Sequence, residues 1–269
     1  VATRPLKLVT LEGYAVEGGF DRPYEPATCF SPTIALGRHS GPGVADELWT
    51  DFERVLDVAS EIGLDGIRLT LEWARIEPRQ GRVNETALER YCDIVRYAKS
   101  KGLHVTVAIV GAVWPAWLGL EAWLLPWVAH EVVRHATMVV RRVGELADGF
   151  VVFSDADGLV TSGYVEGSAP PWRPGAATDA SFATRQLLSI TQQLSEDPLV
   201  GSRLVTDTVT VDLESDEFYE ARVATGVREV HVRSLVKGAG PTAAGTGLLA
   251  KHNGEWTVVA TSEVLDALR

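Results

Sequence analysis

The chain has 269 residues, 46% of them hydrophobic, which suits one barrel-sized domain with ample material for a core. A formal net charge of −11 argues against binding a phosphate backbone, so no nucleic-acid partner is expected. Two cysteines, Cys29 and Cys92, are too few for a disulfide framework, and no apolar run reaches the ~20 residues that span a bilayer. No signal peptide is visible at Val1, so the expectation is a cytoplasmic protein without a membrane partner.

In chain order, Asp46 to Gly63 carries Leu48, Phe52, Val55, Leu56, Ala59 and Ile62 at helical spacing, with Asp46 placed to cap it and Gly63 to end it. Gly66 to Pro78 reads as a strand that finishes in a polar and aromatic cluster. Asn84 to Gly102 repeats the helical pattern, with Leu88, Tyr91, Ile94, Val95 and Ala98 on one face and Cys92 as a buried thiol. His104 to Val110 is the next strand and Ala129 to Leu146 the next helix. Gly149 to Phe153 is an apolar run, short enough for a buried strand, that ends abruptly in Ser154, Asp155, Ala156, Asp157 and Gly158. Strands alternating with helices of this length predict βαβ units and a parallel sheet, an α/β fold of (β/α) barrel type. Pro- and Gly-rich stretches fall at 23–43, 170–175 and 238–247; none has the character of an interdomain linker, so residues 1–269 read as a single domain.

Barrels mount their chemistry at the C-terminal ends of their strands. Asp155 is therefore the first carboxylate to suspect as acid or base, its other reading being a helix cap, a role that Asp157 fits better. Side chains alternate along a strand, so Arg68, Thr70 and Glu72 share one face and Leu69, Leu71 and Trp73 the other. The outward face must be apolar against helices, which turns the Arg68 face inward. Glu72 is then either a catalytic partner of Asp155 or one half of an ion pair with Arg68 or Arg75. Glu166 belongs to a rim loop, and of Asp207 and Asp212, on opposite faces of a fifth strand, Asp212 is the better pocket residue. Trp114, Trp117, Trp123 and Trp127 crowd the segment after the third strand, as aromatic platforms or an apolar pocket would require. His130 and His135 are five apart, off the spacing that puts two ligands on one helical face, so no metal is expected. The glycine-rich tract at 238–247 lacks the lysine of a phosphate-binding loop and no Gly-x-Ser-x-Gly elbow is present, so no cofactor and no serine nucleophile are expected.

Five segments together resemble the glycoside hydrolase family 1 β-glucosidases. Tyr14 to Gly19 is similar to the family's IEGA turn, Arg68 to Ile76 to YRFSISWSRI, and Ala112-Val113-Trp114-Pro115 to the strand end in HWDLP. Val152 to Ala156 is similar to TFNEP, and Gly163-Tyr164 with Ala169-Pro170 to GYxxGxxAP. The resemblance implies that Asp155 stands at the acid/base glutamate and Ser154 at the asparagine beside it. It places Ala15 at a sugar-binding glutamine, Gly111 at a sugar-binding histidine, and Glu72 where the family has serine. Tyr14 and Glu17 fall within the IEGA motif, Glu17 as an architectural residue with a substrate-side role in reserve. No TENG-like strand carrying the nucleophile is found.

The resemblance thus implies a shortened barrel whose sixth and seventh strands are reduced or missing. After Leu213 it has a short helix-like piece, then Gly226 to Leu235 and Gly247-Leu248-Leu249 as a worn last strand and its hairpin. Open edges would need cover, from residues 218–235 or from a second copy of the chain in a homo-oligomer. Retaining glycosidases need two carboxylates about 5 Å apart, and one is missing from its family position. Three readings of function follow, each with a small-molecule ligand. One is a repurposed enzyme that dehydrates, eliminates from or cyclises a hydroxylated natural-product intermediate through Asp155 and Glu72. The second is a surviving hydrolase of O-glycosidic bonds, and the third an inactive ligand-binding pseudoglycosidase.

Overall fold

The computed structural model describes residues 6–205 and four later strands at 218–225, 228–235, 247–252 and 255–260. Its contacts divide the chain into two units, Val1–Leu120 with Arg134–Ser154, and Glu121–Val133 with Asp155–Arg269.

The first unit is built on a four-stranded parallel sheet of β1 (Leu8–Leu11), β2 (Gly66–Thr70), β3 (His104–Val110) and β4 (Gly149–Phe153). The strands lie in sequence order, each paired with its predecessor, which is the progression of a barrel wall; a doubly wound sheet reverses direction at a switch point. Register sorts the side chains into rows. Thr10, Arg68, Thr106 and Gly149 align across the sheet, and so do Leu11, Leu69, Val107 and Phe150 on the opposite face. Arg68, Thr70 and Thr106 are all buried, so the polar face is enclosed as the alternation predicted.

Helices α1 (Gly13–Glu17), α2 (Ser31–Ala35), α3 (Phe52–Glu61), α4 (Trp73–Ile76) and α5 (Glu85–Ser100) complete this unit with the C-terminal part of α6 (Pro126–Val143). α5 follows the sequence closely: the Asn84 side chain accepts from the Ala87 amide to cap it, Leu88, Tyr91, Cys92, Ile94, Val95 and Ala98 are buried, and Gly102 turns the chain at φ 76°. Leu88, Ile94 and Val95, taken wholly out of water, each stabilise the unit by about 1.5–3 kcal/mol. α3 departs from expectation. It begins at Phe52 because Ala45 and Glu47 both take positive φ, which no helix accommodates, and Asp46 remains in a loop as an acceptor for Arg54 through its carbonyl. Ile62, expected on the core face, is exposed, whereas Gly63 ends the helix at φ 78° as expected. α6 begins at Pro126, whose fixed φ suits the first helical position.

The second unit holds α7 (Ala156–Val160), a π-helical turn at Thr161–Glu166, and α8 (Ala177–Glu196), which buries Ala180, Ala183, Thr184, Leu187, Ile190 and Leu194. Its later strands are antiparallel hairpins: β5 (Phe218–Thr225) with β6 (Arg228–Leu235), and β7 (Gly247–His252) with β8 (Glu255–Ala260). Of the helix-like piece expected between Leu213 and Gly226, residues 218–225 form a strand, and Arg228–Leu235 of the expected last strand is half of a hairpin. The expected fifth strand, with Asp207 and Asp212, lies outside the described residues. No helix among the described residues is long and apolar enough to cross a membrane.

Candidate active site

Three strand ends of the first unit bring the chemistry together. Glu12 follows β1 directly, Glu72 lies just past β2, and Gly111 follows β3. A Cβ placed on Gly111 would stand 2.7 Å from the Thr70 methyl, 3.2 Å from Glu12 Oε2 and 3.5 Å from Glu72 Oε1. Glycine is needed there because two carboxyl groups and a threonine already occupy the space beside its α-carbon. Gly13 is confined in the same way: its Cβ would collide with the Glu72 side chain and come within 2.8 Å of Glu17 Oε1.

Glu72 is 1% exposed. Its Oε1 accepts from the Tyr14 amide at 2.8 Å, while Oε2 is buried with no hydrogen-bond partner among the described residues. The Thr70 hydroxyl is buried and unpartnered in the same sense. Burial is the main force that pushes the Glu72 carboxyl well above the usual glutamate range; repulsion from Glu17 and Glu12 adds to it, and the Tyr14 amide and Arg75 oppose it. This environment favours the protonated form of Glu72. Such a carboxyl can donate a hydrogen bond, hand over the proton, and then act as a base.

The ion pair foreseen for Glu72 goes elsewhere. Arg75 donates from Nε to Glu17 Oε2 at 2.8 Å and from Nη2 to the Gly18 carbonyl at 2.6 Å. Its guanidinium lies between the rings of Phe20 and Trp49, 4.2 and 4.1 Å from their centroids. Glu17 is fully enclosed, its other oxygen accepting from the Tyr91 hydroxyl at 2.7 Å, and burial raises its carboxyl against the pull of Arg75 and Tyr91. Tyr91 in turn accepts from the Glu72 amide at 3.0 Å. A continuous chain, Arg75–Glu17–Tyr91–Glu72, thus fixes the backbone from which the Glu72 carboxyl projects. Glu17 is committed to this support with both oxygens, so it is not a substrate ligand.

The other expected residues divide clearly. Tyr14 stacks on Phe30 at 5.3 Å and donates its hydroxyl to Asp21, which also accepts from Thr28 and Ser31; its contribution to Glu72 is its backbone amide. Arg68 is buried in the polar row of β2. Trp114 is a correction: it packs in the core and its indole N–H is spent on the Gly119 carbonyl, not held for a ligand. Trp123 is likewise buried, and Trp117 donates to the Glu77 carbonyl. His135 is stacked on Trp73 at 4.5 Å, with its pKa pushed down to about 3, first by burial. No group of three metal-ligating side chains occurs among the described residues.

In the second unit Asp155 is the N-cap residue of α7, accepting from the Gly158 amide at 2.9 Å. The cap falls on Asp155 and not on Asp157, because the chain turns helical at Ala156 and places Asp157 inside the first turn, where it is fully buried. Glu166 is exposed at the end of the π-helical turn and accepts from the Ser168 hydroxyl. Asp212 lies outside the described residues. Glu12 and Tyr91 are the site residues that the sequence reading missed. Glu12 carries the signal used for Asp155, a carboxylate directly after an apolar strand run, here Leu8–Leu11.

Comparison with known proteins places the family and the fold. The family model described as glycosyl hydrolase family 1 matches residues 12–191. A β-glucosidase of Agrobacterium sp. (strain ATCC 21400) is 30% identical over 131 residues, covering 48% of this chain and 28% of that protein. The galactolipid galactosyltransferase SFR2 of Arabidopsis thaliana, a chloroplastic protein, is 26% identical over 145 residues, 51% of this chain and 23% of that one. Among solved structures, β-glucosidase from Thermotoga maritima superposes with a TM-score of 0.64 at 18% identity, over 76% of this chain and 48% of that one. Virulence factor SghA from Agrobacterium tumefaciens gives 0.65 at 22%, over 74% and 46%. The chain spans less than a third of those curated relatives and about half of those structures. At these identities the structural likeness shows the fold, a (β/α) barrel of which this chain is a shortened version.

Proposed function

This chain belongs to glycosyl hydrolase family 1, and from that premise we propose that it is a repurposed member in which Glu72 transfers the proton of a carboxylate acid/base reaction. The reaction class is dehydration, elimination or cyclisation of a hydroxylated small molecule. The observation that carries the reading is the Glu72 carboxyl itself: buried, held by the Tyr14 amide on one oxygen and unpartnered on the other, at a strand end of the first unit. In a dehydration its proton goes to the departing hydroxyl, which leaves as water. The carboxylate left behind then takes a proton from the substrate's adjacent carbon, whose C–H electrons form the new double bond, and the acid is regenerated.

Departures from the family's sugar-binding residues support the same reading. Ala15 and Gly111 supply no side-chain hydrogen bonds, and the crowding at Gly111 leaves no room for a histidine. The galactosyltransferase among the relatives, named for transfer and not for hydrolysis, supports the premise that this family frame hosts more than one reaction. By its match to the family's acid/base glutamate, Asp155 is proposed in its own right as a proton-transfer group of the second unit.

The test is a pair of incubations of the purified protein, followed by mass spectrometry. With a panel of β-hydroxy ketones the expected product has lost one water, at a rate that falls about 10²-fold in Glu72→Gln. With nitrophenyl β-glucosides little or no nitrophenol should appear. Efficient nitrophenol release with retained configuration, or a trapped glycosyl-enzyme, would overturn the reading in favour of a surviving hydrolase.

A further inference from the structure

We propose that Glu12 is a positioning residue that keeps the catalytic proton on Glu72, the two side chains forming a carboxyl pair that holds one proton across Gly111. The inference rests on Glu72 being the proton-transfer group and names the device that charges it. Both carboxyls approach one point, the Cβ position of Gly111, at 3.2 Å for Glu12 Oε2 and 3.5 Å for Glu72 Oε1. The two oxygens are therefore no farther apart than the sum of those distances, near enough for Glu12 to repel charge on Glu72 and so favour its protonated form. Environment decides where the proton sits. Glu72 is 1% exposed, whereas Glu12 is half-buried, stands at the N-cap position of α1 and makes no capping bond with its side chain. Burial makes charge costly on Glu72, so the proton stays there.

The other charged and titratable groups around Glu72 do not replace this effect. From α1, Glu17 repels it, and more strongly than Glu12 does; but Arg75 from α4, bonded to Glu17 at 2.8 Å, acts on Glu72 in the opposite sense. Arg75 offsets only part of the repulsion, so Glu17 and Glu12 act on Glu72 in the same sense, and Glu12 is the one of the two with no cation bonded to it among the described residues. From α5, Tyr91 meets the Glu72 amide through its hydroxyl, and burial and Glu17 hold that phenol in its neutral form. Cys29, on the loop before α2, is neutral because burial pushes its thiol up. Arg68, on β2 ahead of Glu72, lies in the buried polar row. Neither Glu12 nor Glu72 is bonded to the Arg75 cation, which is spent on Glu17 and the Gly18 carbonyl.

The experiment reads the Glu72 proton directly and does not depend on any substrate. The protonated-carboxyl C=O band is followed by infrared difference spectroscopy across a pH titration of the wild type, and it is assigned by its loss in Glu72→Gln. In Glu12→Gln the midpoint of that band should fall by about one pH unit, the worth of a nearby like charge. Glu12→Asp, which keeps the charge, should restore most of the shift. A midpoint unmoved in Glu12→Gln would overturn the proposal, and so would the same fall in Glu12→Asp, which would mark a packing effect. A wild type with no such band at neutral pH would overturn it as well. Since Glu12 is half-buried and caps nothing, the melting temperature of Glu12→Gln should stay close to wild type. Loss of the predicted dehydration with the band shift intact would count against the proposed reaction and leave the proton-holding role standing.

Discussion

Replacing Arg75 by methionine tests the support beneath the site. The guanidinium is nearly enclosed, bonded at 2.8 Å to Glu17 and at 2.6 Å to the Gly18 carbonyl, and flanked by Phe20 and Trp49. Methionine refills the slot between the rings but leaves the Glu17 carboxylate buried without its cation. Breaking one side of such a pair costs about 3–5 kcal/mol, much of it the penalty of the stranded charge. Near 4 kcal/mol, for a chain of this size, the midpoint of thermal unfolding should drop by about 10 °C. Glu17→Gln alone strands the arginine instead and should cost a similar amount. The double variant removes both charges, so its loss should be well below the sum of the two, with a coupling of about 2–3 kcal/mol in a double-mutant cycle. Urea unfolding of the four proteins, at one pH and ionic strength, measures it. Strict additivity would refute the reasoning, because it would mean that Arg75 stabilises by filling space alone.

Two further outcomes are expected. The Glu72 carboxyl is raised in the folded protein, so the native state binds more protons than the unfolded chain above the ordinary glutamate value of 4.5. Its contribution to stability is therefore complete below that pH and is lost as pH rises through the folded value; Glu72→Gln should flatten this decline, and an unchanged slope would count against a buried protonated acid. Asp155→Asn should keep the fold, since asparagine still accepts from the Gly158 amide, while Asp155→Ala should cost about 1 kcal/mol of capping. If Asp155 also transfers a proton, Asp155→Asn loses about 10²-fold in turnover at unchanged melting temperature, and full activity would confine it to the cap.

Where local pattern and tertiary structure agree, the sequence was readable. β3 runs from His104 to Val110 as its apolar run indicated, and α5 begins at the Asn84 cap. Where backbone conformation is imposed from a distance, it was not. Nothing in the apolar spacing of residues 46–62 reveals that Ala45 and Glu47 would take positive φ and delay α3 to Phe52. The late hairpins did leave a trace, Asn253-Gly254 between β7 and β8, the dipeptide that two-residue hairpin turns favour. Tryptophan density pointed to a pocket, but it carries no information about where an indole N–H will bond, and Trp114 found Gly119. For the site, strand ends were the useful signal. The signal was applied to Asp155 and Glu72 and equally fits Glu12, whose neighbour Gly111 becomes meaningful only once β1, β2 and β3 lie side by side.

The order of strands in the sheet also bears on how the chain assembles. Because each strand pairs with the one before it, the wall can grow in the direction of synthesis, every new strand finding its edge already formed. The first closure, Leu8 onto Gly66, spans roughly 60 residues, and the next, Gly66 onto His104, roughly 40; the longer loop costs only about 0.4 kcal/mol more in chain entropy. Those extra residues include the Asp21 cluster that anchors Tyr14, together with Phe20 and Trp49, which enclose Arg75. The segment that steadies the proton-transfer group is thus an elaboration that folding kinetics scarcely penalise. Lengthening or shortening its exposed parts is a route by which such a frame could acquire new ligands without slowing its own formation.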